Sequence, residues 1–405
     1  MRILLVSEDI PQPTLGGLAQ HVMKLARALI KDGHKVDLLG NNQHPIEISG
    51  EDGKFDGQFY GELYSHLKLW KEQQLGVFLP LRRPWIAKKI AKSILNHAAN
   101  YDVIHYHGHY PNVGKYIPKN INFIQTRHDQ GSDCVIHIRF RDGEICSKIN
   151  PIDCATCINK NPNKLQVSSS KLAINNYRRD VSEAFNRHKT IFVSEMLINN
   201  FMRSTKLTRT GYVLHNFVDT QKINEYLFSS NEDSNNLNGL QVNIFFAGMV
   251  YEPKGIEPFL KLIAPIIPSN FNLLIAGSGP DENRLRLEYT TEQIKFLGWC
   301  DYPSVINYIN HCDALIVPSI WEEPCGTTIL EGLALNTPTF ALNRGGTPEL
   351  SQYEFYPQQL KLFSTMEELV LRLTQLTSTK KIKPQENFKN DVTHCIDHLI
   401  KIYNQ

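Results

Sequence analysis

The order of apolar runs along these 405 residues predicts an α/β protein built from two parallel-sheet domains. Three observations carry this. Short apolar runs alternate with amphipathic stretches over nearly the whole chain. The length suffices for two separate cores. A polar excursion rich in Asn, Ser, Asp and Glu, residues 229–239, interrupts the rhythm near the middle. In the first half, 3–6, 35–39, 103–107, 123–126, 190–193 and 212–214 read as strands, and 19–30, 85–96 and 173–185 as helices. In the second half, 242–248, 272–277, 294–297, 314–317 and 339–342 read as strands with helices between them. The junction is placed near Asn216 to Asp219, and 387–403 reads as a closing amphipathic helix.

Composition is that of an ordinary soluble protein, with 41% apolar and 21% charged residues. A net charge of +2 argues against a nucleic-acid partner. The first residues, Met1-Arg-Ile-Leu-Leu-Val-Ser7, run directly into a strand without a signal-peptide pattern, and no apolar run approaches a membrane span. A cytoplasmic protein is expected. The basic, aromatic-flanked stretch Leu81-Arg-Arg-Pro-Trp85 with Lys88, Lys89 and Lys92 is either a solvated helix or a peripheral contact with anionic lipid on the inner membrane face.

The most informative segment is Glu323-Pro-Cys-Gly-Thr-Thr-Ile-Leu-Glu331. A buried strand, 314–318, precedes it, and a helix opened by hydroxyl residues, 327–335, contains its second half. Glu323 is expected in the loop at the strand's carboxyl end, with Glu331 about two turns into the helix. In open α/β sheets ligands bind in that crevice. A helix N-terminus offers unpaired N–H groups and a positive dipole end, which suits a diphosphate. Carboxylates on either side suit sugar hydroxyls better than phosphates, so the pattern points to a nucleotide-diphosphate sugar. A chance pair on a solvated face is the plain alternative. It loses weight because Pro324, Gly326, Thr327 and Thr328 accompany the pair and Gly345-Gly-Thr-Pro-Glu349 follows.

Together these residues closely resemble the signature of the retaining family-4 glycosyltransferases of the GT-B fold. The resemblance implies two Rossmann-like domains with a cleft between them and a C-terminal helix crossing back to the first. Residues 1–217 would form the acceptor-side domain, with a Cys-rich excursion near 128–165. Residues 218–386 would bind the donor, and 387–405 would form the crossing helix. Glu331 would hold the ribose and Glu323 the sugar ring. Gly326, Thr327 and Thr328, with Lys254 of Lys254-Gly255, would hold the diphosphate. The family pairs that lysine with an arginine after the glycine of Ala247-Gly248, and here Met249 stands in its place. Gly279 of Gly277-Ser-Gly279-Pro280 would lie near the nucleotide. Gly298-Trp299 would hold the base, unless Trp299 is plain core.

Two first-half motifs carry further expectations. Gly16-Gly17 opens the first helix and is either a tight turn needing positive φ or, by the resemblance, a face to the donor diphosphate. In Asp102-Val-Ile-His-Tyr-His107, alternation puts His105, His107 and His109 on one face, superficially a metal site. The preferred reading packs His105, leaves His109 in a loop and, by the resemblance, brings His107 to the donor sugar.

Eight cysteines are present, and Cys134, Cys146, Cys154 and Cys157 crowd one polar, loop-like segment. Structural zinc is the simplest occupant, with an iron–sulfur cluster or plain thiols as alternatives. No catalytic metal is expected. The activity the resemblance implies is retaining transfer of a hexose or amino-hexose, from a UDP-sugar by family frequency, to a carbohydrate or lipid-linked hydroxyl in surface polysaccharide or lipopolysaccharide assembly. The departing phosphate would take the acceptor's proton. A same-fold epimerase or phosphorylase, and a non-catalytic sugar-nucleotide-binding protein, are the rivals, and Met249 is the best support for the last.

Overall fold

A computed structural model describes residues 1–12, 16–49, 55–63, 83–158, 162–205, 207, 211–229, 241–378 and 387–405. By contacts the chain divides into two units, the first Met1–Arg141, Cys146–Asn216 and Val392–Gln405, the second Asp142–Ile145 and Phe217–Asp391.

The first unit grows from β1 (Arg2–Val6), whose last four residues are buried, followed by α1 (Gly17–Lys31). Then come β2 (Lys35–Asn41), β3 (Phe59–Leu63), α2 (Arg83–His97), β4 (Val103–His107) and β5 (Phe123–Arg127). Along the chain β6 (Phe140–Arg141) and β7 (Glu144–Ile145), which form a short ribbon and of which β7 is grouped with the second unit, precede α3 (Pro151–Ile158) and α4 (Lys164–Arg187). The unit's chain runs on through β8 (Lys189–Phe192), α5 (Glu195–Thr205) and β9 (Tyr212–Val213). Seven of these strands form one sheet in the order β3-β2-β1-β4-β5-β8-β9, and its pairs are parallel. Strand order reverses direction between β1 and β4, where Ile3 pairs with Val36 on one side and Val103 on the other. Leu4, Val6, Ile90, Ile94, Ile104, Tyr106 and Phe123 fill the space between this sheet and α2.

The second unit opens with α6 (Thr220–Ser229), β10 (Val242–Ala247), α7 (Ile256–Ile263), β11 (Phe271–Ala276) and α8 (Glu282–Tyr289). It continues with β12 (Ile294–Gly298), α9 (Tyr302–His311), β13 (Ala314–Val317), α10 (Thr327–Ala334), β14 (Thr339–Leu342), β15 (Leu360–Phe363) and α11 (Met366–Thr374). The parallel sheet runs β12-β11-β10-β13-β14-β15. Ile244, Phe246, Phe259, Leu273, Ile316, Phe340 and Leu369 belong to its core. Helix starts follow their caps. Asp301 accepts from the Ser304 amide at α9, and Thr365 and Glu368 form a reciprocal capping box at α11.

The closing helix, α12 (Val392–Asn404), rejoins the first unit and packs against α1. Its buried positions, Val392, Cys395, Ile396, Leu399, Ile402 and Tyr403, keep the three- and four-residue spacing of one apolar stripe. Among the described residues no helix is long and apolar enough to cross a membrane.

Several expectations need correction. The segment holding the four cysteines is not loop-like. Asp142 and Gly143 have φ of 55° and 79°, a pair of left-handed residues that closes the β6–β7 ribbon. Asn150 then accepts from the Ile152 amide ahead of α3, and Cys154 and Cys157 lie on that helix. α4 begins at Lys164 rather than 173, because Asn163 and Gln166 form a capping box ahead of an exposed first stretch with no apolar period. β3 and β15 were not expected, each being an edge strand with a broken apolar pattern. The closing helix starts at Val392 rather than 387. Residues 81 and 82 of the basic stretch and 230–239 of the polar excursion lie outside the described residues, as does Leu15 beside Gly16. Arg83 is no surface charge. It is buried, donating to the Tyr177 hydroxyl and the Val135 carbonyl, whereas Lys88, Lys89 and Lys92 are exposed.

Candidate functional site

In the second unit the loops after β10, β11, β12 and β13 gather at the carboxyl edge where strand order reverses between β10 and β13. Backbone bonds stitch them together. Gly248 donates to the Ala276 carbonyl, Val250 to that of Ser278, Asp281 back to Val250, and Ile320 to Pro253. Gly255, at φ 72°, lies so close to the Pro318 carbonyl that a Cβ would sit 1.9 Å from its oxygen. Gly345, at φ 57°, leaves room for a Cβ only 2.6 Å from the backbone of Glu322 and Glu323, and Gly346 donates to the Glu323 carbonyl at 2.8 Å. Only glycine tolerates both demands at such positions. The backbone on either side of Lys254 and Glu323 is therefore tightly fixed.

The two side chains meet. Lys254 Nζ donates to Glu323 Oε2 at 2.7 Å, and the Ser319 hydroxyl and Trp321 indole N–H donate to the same oxygen at 3.1 and 3.0 Å. The ammonium also lies 5.4 Å from the Trp321 ring centroid. Glu323 is buried, and three donors converge on its carboxylate. Burial and the Glu323 charge together push the Tyr251 hydroxyl upward from its ordinary value. Lys254 uses one of its three N–H bonds here, which leaves two for an incoming anion.

Gly326, the residue capping the start of α10, supplies no side-chain cap, so the first-turn N–H groups of Thr327 and Thr328 are left for solvent or a ligand. Glu331 is buried and, four residues after Thr327, lies just over one turn into the helix rather than the two expected, since a turn takes about 3.6 residues. Gly248 and Gly279 sit in the adjoining loops. Trp299 is 61% exposed, which removes the core reading and leaves an open aromatic face at the same sheet edge. Met249, at 55%, is also exposed.

In the first unit the carboxyl edge carries a dense polar cluster. Gly16 and Gly17 have ordinary backbone conformations, and a Cβ on either would meet nothing within 4 Å. A tight turn of positive φ is thus excluded as their reason. His107 is 1% exposed, with Nδ1 bonded to His128 Nε2 at 3.0 Å and Nε2 unpartnered. His21, His107 and His128 bring ring nitrogens within 4.8 Å of one another. Burial, then neighbouring positive charge, holds all three well below the ordinary histidine value, so they are neutral imidazoles. His105 is packed as expected, between the Tyr403 hydroxyl at 2.7 Å and Thr126 at 2.7 Å. His109 lies in the following turn. Burial would lower it, but the carboxylates of Asp9 and Asp129, at 3.1 and 3.2 Å, raise it to about 10. Glu8, buried beneath the Tyr106 hydroxyl that donates to it, is pushed up to about 7 by loss of hydration.

The family model described as Glycosyltransferase Family 4 matches residues 15–222, and that for Glycosyl transferases group 1 matches 228–391. The chain belongs to glycosyltransferase family 4. An uncharacterized glycosyltransferase of Methanocaldococcus jannaschii is 23% identical to this family-4 chain over 367 residues, 87% of this chain and 83% of that one. HepE of Anabaena, solved with UDP-glucose, aligns over 100% of this chain and 98% of its own with a TM-score of 0.54 and 16% identity. The lipopolysaccharide outer core galactosyltransferase WaaB aligns over 93% and 90% with a TM-score of 0.53 and 13% identity. The two parallel Rossmann-like sheets of this family-4 glycosyltransferase are those of the GT-B fold.

Of the residues singled out from sequence, Gly248, Lys254, Gly279, Trp299, Glu323, Gly326, Thr327, Thr328 and Glu331 share one edge of the second sheet. Gly16, Gly17 and His107 lie at the corresponding edge of the first. Cys134, Cys146, Cys154 and Cys157 line a cavity elsewhere in the first unit. Sequence reading missed Ser319 and Trp321, which complete the Glu323 shell, and Glu8, His21, His128 and Asp129. The last two carried a legible signal, since Arg127-His-Asp129 directly follows a buried strand.

Proposed function

We propose that this glycosyltransferase moves a hexose or amino-hexose from a nucleotide-diphosphate sugar, a UDP-sugar in the first instance, to a hydroxyl of a carbohydrate or lipid-linked acceptor, with retention at the anomeric carbon. The observation that carries the reading is the Lys254–Glu323 pair held at the mouth of α10. Lys254 and the N–H groups at Gly326, Thr327 and Thr328 would take the diphosphate, Glu323 a sugar hydroxyl and Glu331 the ribose. Gly248 and Gly279 would let the backbone approach the nucleotide, and Trp299 would lie against the base. Gly16 and Gly17 leave open space that suits a diphosphate, and the unpartnered Nε2 of His107 suits a sugar hydroxyl. The complex of HepE with UDP-glucose supports the donor class, and the role of WaaB supports lipopolysaccharide or related surface-glycan assembly.

The bond from the anomeric carbon to the phosphate oxygen breaks, and a bond to the acceptor oxygen forms on the same face. The acceptor's proton passes to the departing phosphate oxygen, so no protein nucleophile and no catalytic metal is required. Catalysis is orientation together with stabilisation of charge developing on the phosphate, and Lys254 carries that task in the absence of the family arginine.

The test is a nucleotide-sugar panel read by thermal shift, followed by transfer to acceptor and proton NMR of the product's anomeric signal. A donor that raises the melting temperature and yields product of unchanged anomeric configuration supports the reading. Product of inverted configuration overturns retention. The exposed methionine at position 249 favours one rival, a donor-binding protein without transfer, which would show the thermal shift and no product on any acceptor.

A further inference from the structure

The four clustered cysteines approach one cavity from separate pieces of chain. Cys134 follows the turn at 130–132, Cys146 follows β7, and Cys154 and Cys157 sit three apart on α3, the spacing of helix neighbours. The cavity holds about 420 Å³ of empty space, part of it open to solvent, and is lined by all four thiols with Asp133, Arg139, Arg141, Lys148 and Arg178. None of the four cysteines is in a disulfide.

The surrounding frame is tightly tied. Arg139 donates to the Asp133 carboxylate and, at 3.0 Å, to the Cys146 carbonyl, while the Cys146 amide returns a bond to the Arg139 carbonyl at 2.7 Å. Arg178, on α4, donates to the Asp133 carbonyl at 3.2 Å and to Cys154 Sγ at 3.4 Å. Between Cys134 and Cys146 the chain turns through left-handed conformations at His137 and Arg139, with φ of 68° and 44°. Non-glycine residues keep such conformations only where surrounding contacts over-determine them.

Four thiols lining one space select soft metal once deprotonated: a zinc ion or an iron–sulfur cluster. Either occupant leaves net negative charge on the thiolate set, and Arg139, Arg141, Lys148 and Arg178 supply the opposite sign. Among the described residues, the groups of three whose ligand atoms fall within 4.8 Å of one another are the two histidine-containing ones, not the thiols. A cluster several atoms across spans such spacing as it stands, whereas a single zinc ion would draw the sulfurs inward.

We propose that Cys134, Cys146, Cys154 and Cys157 are the four ligands of one thiolate-bound metal centre that pins the 134–157 excursion to α4. The centre thereby steadies the chain that follows β5, where His128 and Asp129 stand. Binding replaces the thiol protons, which pass to solvent. The role is structural, so the proposal does not depend on the donor or acceptor chosen above.

The experiment is metal and sulfide analysis of the full chain purified without oxygen, together with its visible spectrum. Roughly one zinc per chain with a colourless spectrum, or iron and labile sulfide in equal amounts with visible absorption, supports the centre and identifies its occupant. Cys154→Ser should lower the metal content at least several-fold, and Cys300→Ser, outside the cavity, should leave it unchanged. Because Cys154→Ser can fail to fold, cobalt(II) titration of the wild-type chain gives a second readout. A sulfur-to-cobalt charge-transfer band is expected, after removal of any resident metal. The proposal is overturned if the wild-type chain binds none of zinc, cobalt or a reconstituted iron–sulfur cluster, or if metal persists unchanged in Cys154→Ser and Cys157→Ser.

Discussion

The Lys254–Glu323 contact is an ion pair, and under the proposed function it couples the fold to the chemistry at one oxygen atom. Removing the lysine leaves a buried carboxylate with two neutral donors, Ser319 and Trp321, in place of three partners. Lys254→Ala should therefore cost about 1–3 kcal/mol of stability as well as turnover. Turnover should fall about 10²–10³-fold, the usual loss when one charge-stabilising donor is removed. Glu323→Gln keeps the shape and relieves the need for a cation. The double variant should be more stable than the sum of the two single losses, with a coupling of about 1–3 kcal/mol. Urea unfolding of the four proteins measures it, and strict additivity would refute the pairing.

At the level of elements, the glycines sort by what surrounds them. Gly345→Ala places a Cβ against the backbone of Glu323 at a φ of 57°, so it should lower stability by about 1–3 kcal/mol and displace Glu323. Gly16→Ala meets open space, so its stability should stay within about 0.5 kcal/mol of wild type while donor affinity falls. Calorimetry and donor titration of the two variants separate the cases, and equal melting losses would undo the distinction. The same contrast shows what the sequence discloses. Strands such as Val242–Ala247 and Ala314–Val317 announce themselves because both faces are buried and the apolar run is continuous. Edge strands such as Phe59–Leu63, half exposed, carry no such run. Glu323 and Glu331 were legible because the motif spans a strand end and a helix start. Partners brought in by tertiary packing, such as Glu8 beneath Tyr106 or His21 beside His107 and His128, have no local pattern to betray them.

For the molecule as a whole, two buried groups of the first unit set a dependence on pH. Glu8 moves from an ordinary 4.5 to about 7 on folding, so the folded state holds its proton more tightly. Its contribution is fully present below pH 4.5 and is lost as pH rises through 7, a loss of about 3 kcal/mol. His109 moves from 6.5 to about 10, so its contribution is present below 6.5 and lost as pH climbs through 10. The neutral histidines His21, His105, His107 and His128 act in the opposite sense and add stability as pH rises toward 6.5, so the decline in this unit belongs to the range from about pH 7 to 10. Glu8→Gln should remove the Glu8 contribution and leave that of His109, so the wild-type-minus-variant difference in urea midpoint should fall between pH 4.5 and 7. A difference that rises with pH would contradict the Glu8 assignment, and a wild-type midpoint that rises between pH 7 and 10 would contradict that of His109.

The first unit also borrows its last helix from the far end of the chain. Tyr403 seats its hydroxyl on His105, its carbonyl accepts from Asn122, and Lys189 reaches the Ile402 carbonyl. During synthesis, residues 1–216 leave the ribosome long before 392–405 exist, so the histidine strand waits without its lid while the second unit is being made. The nascent chain can complete its second unit first, and the part begun earliest is finished last.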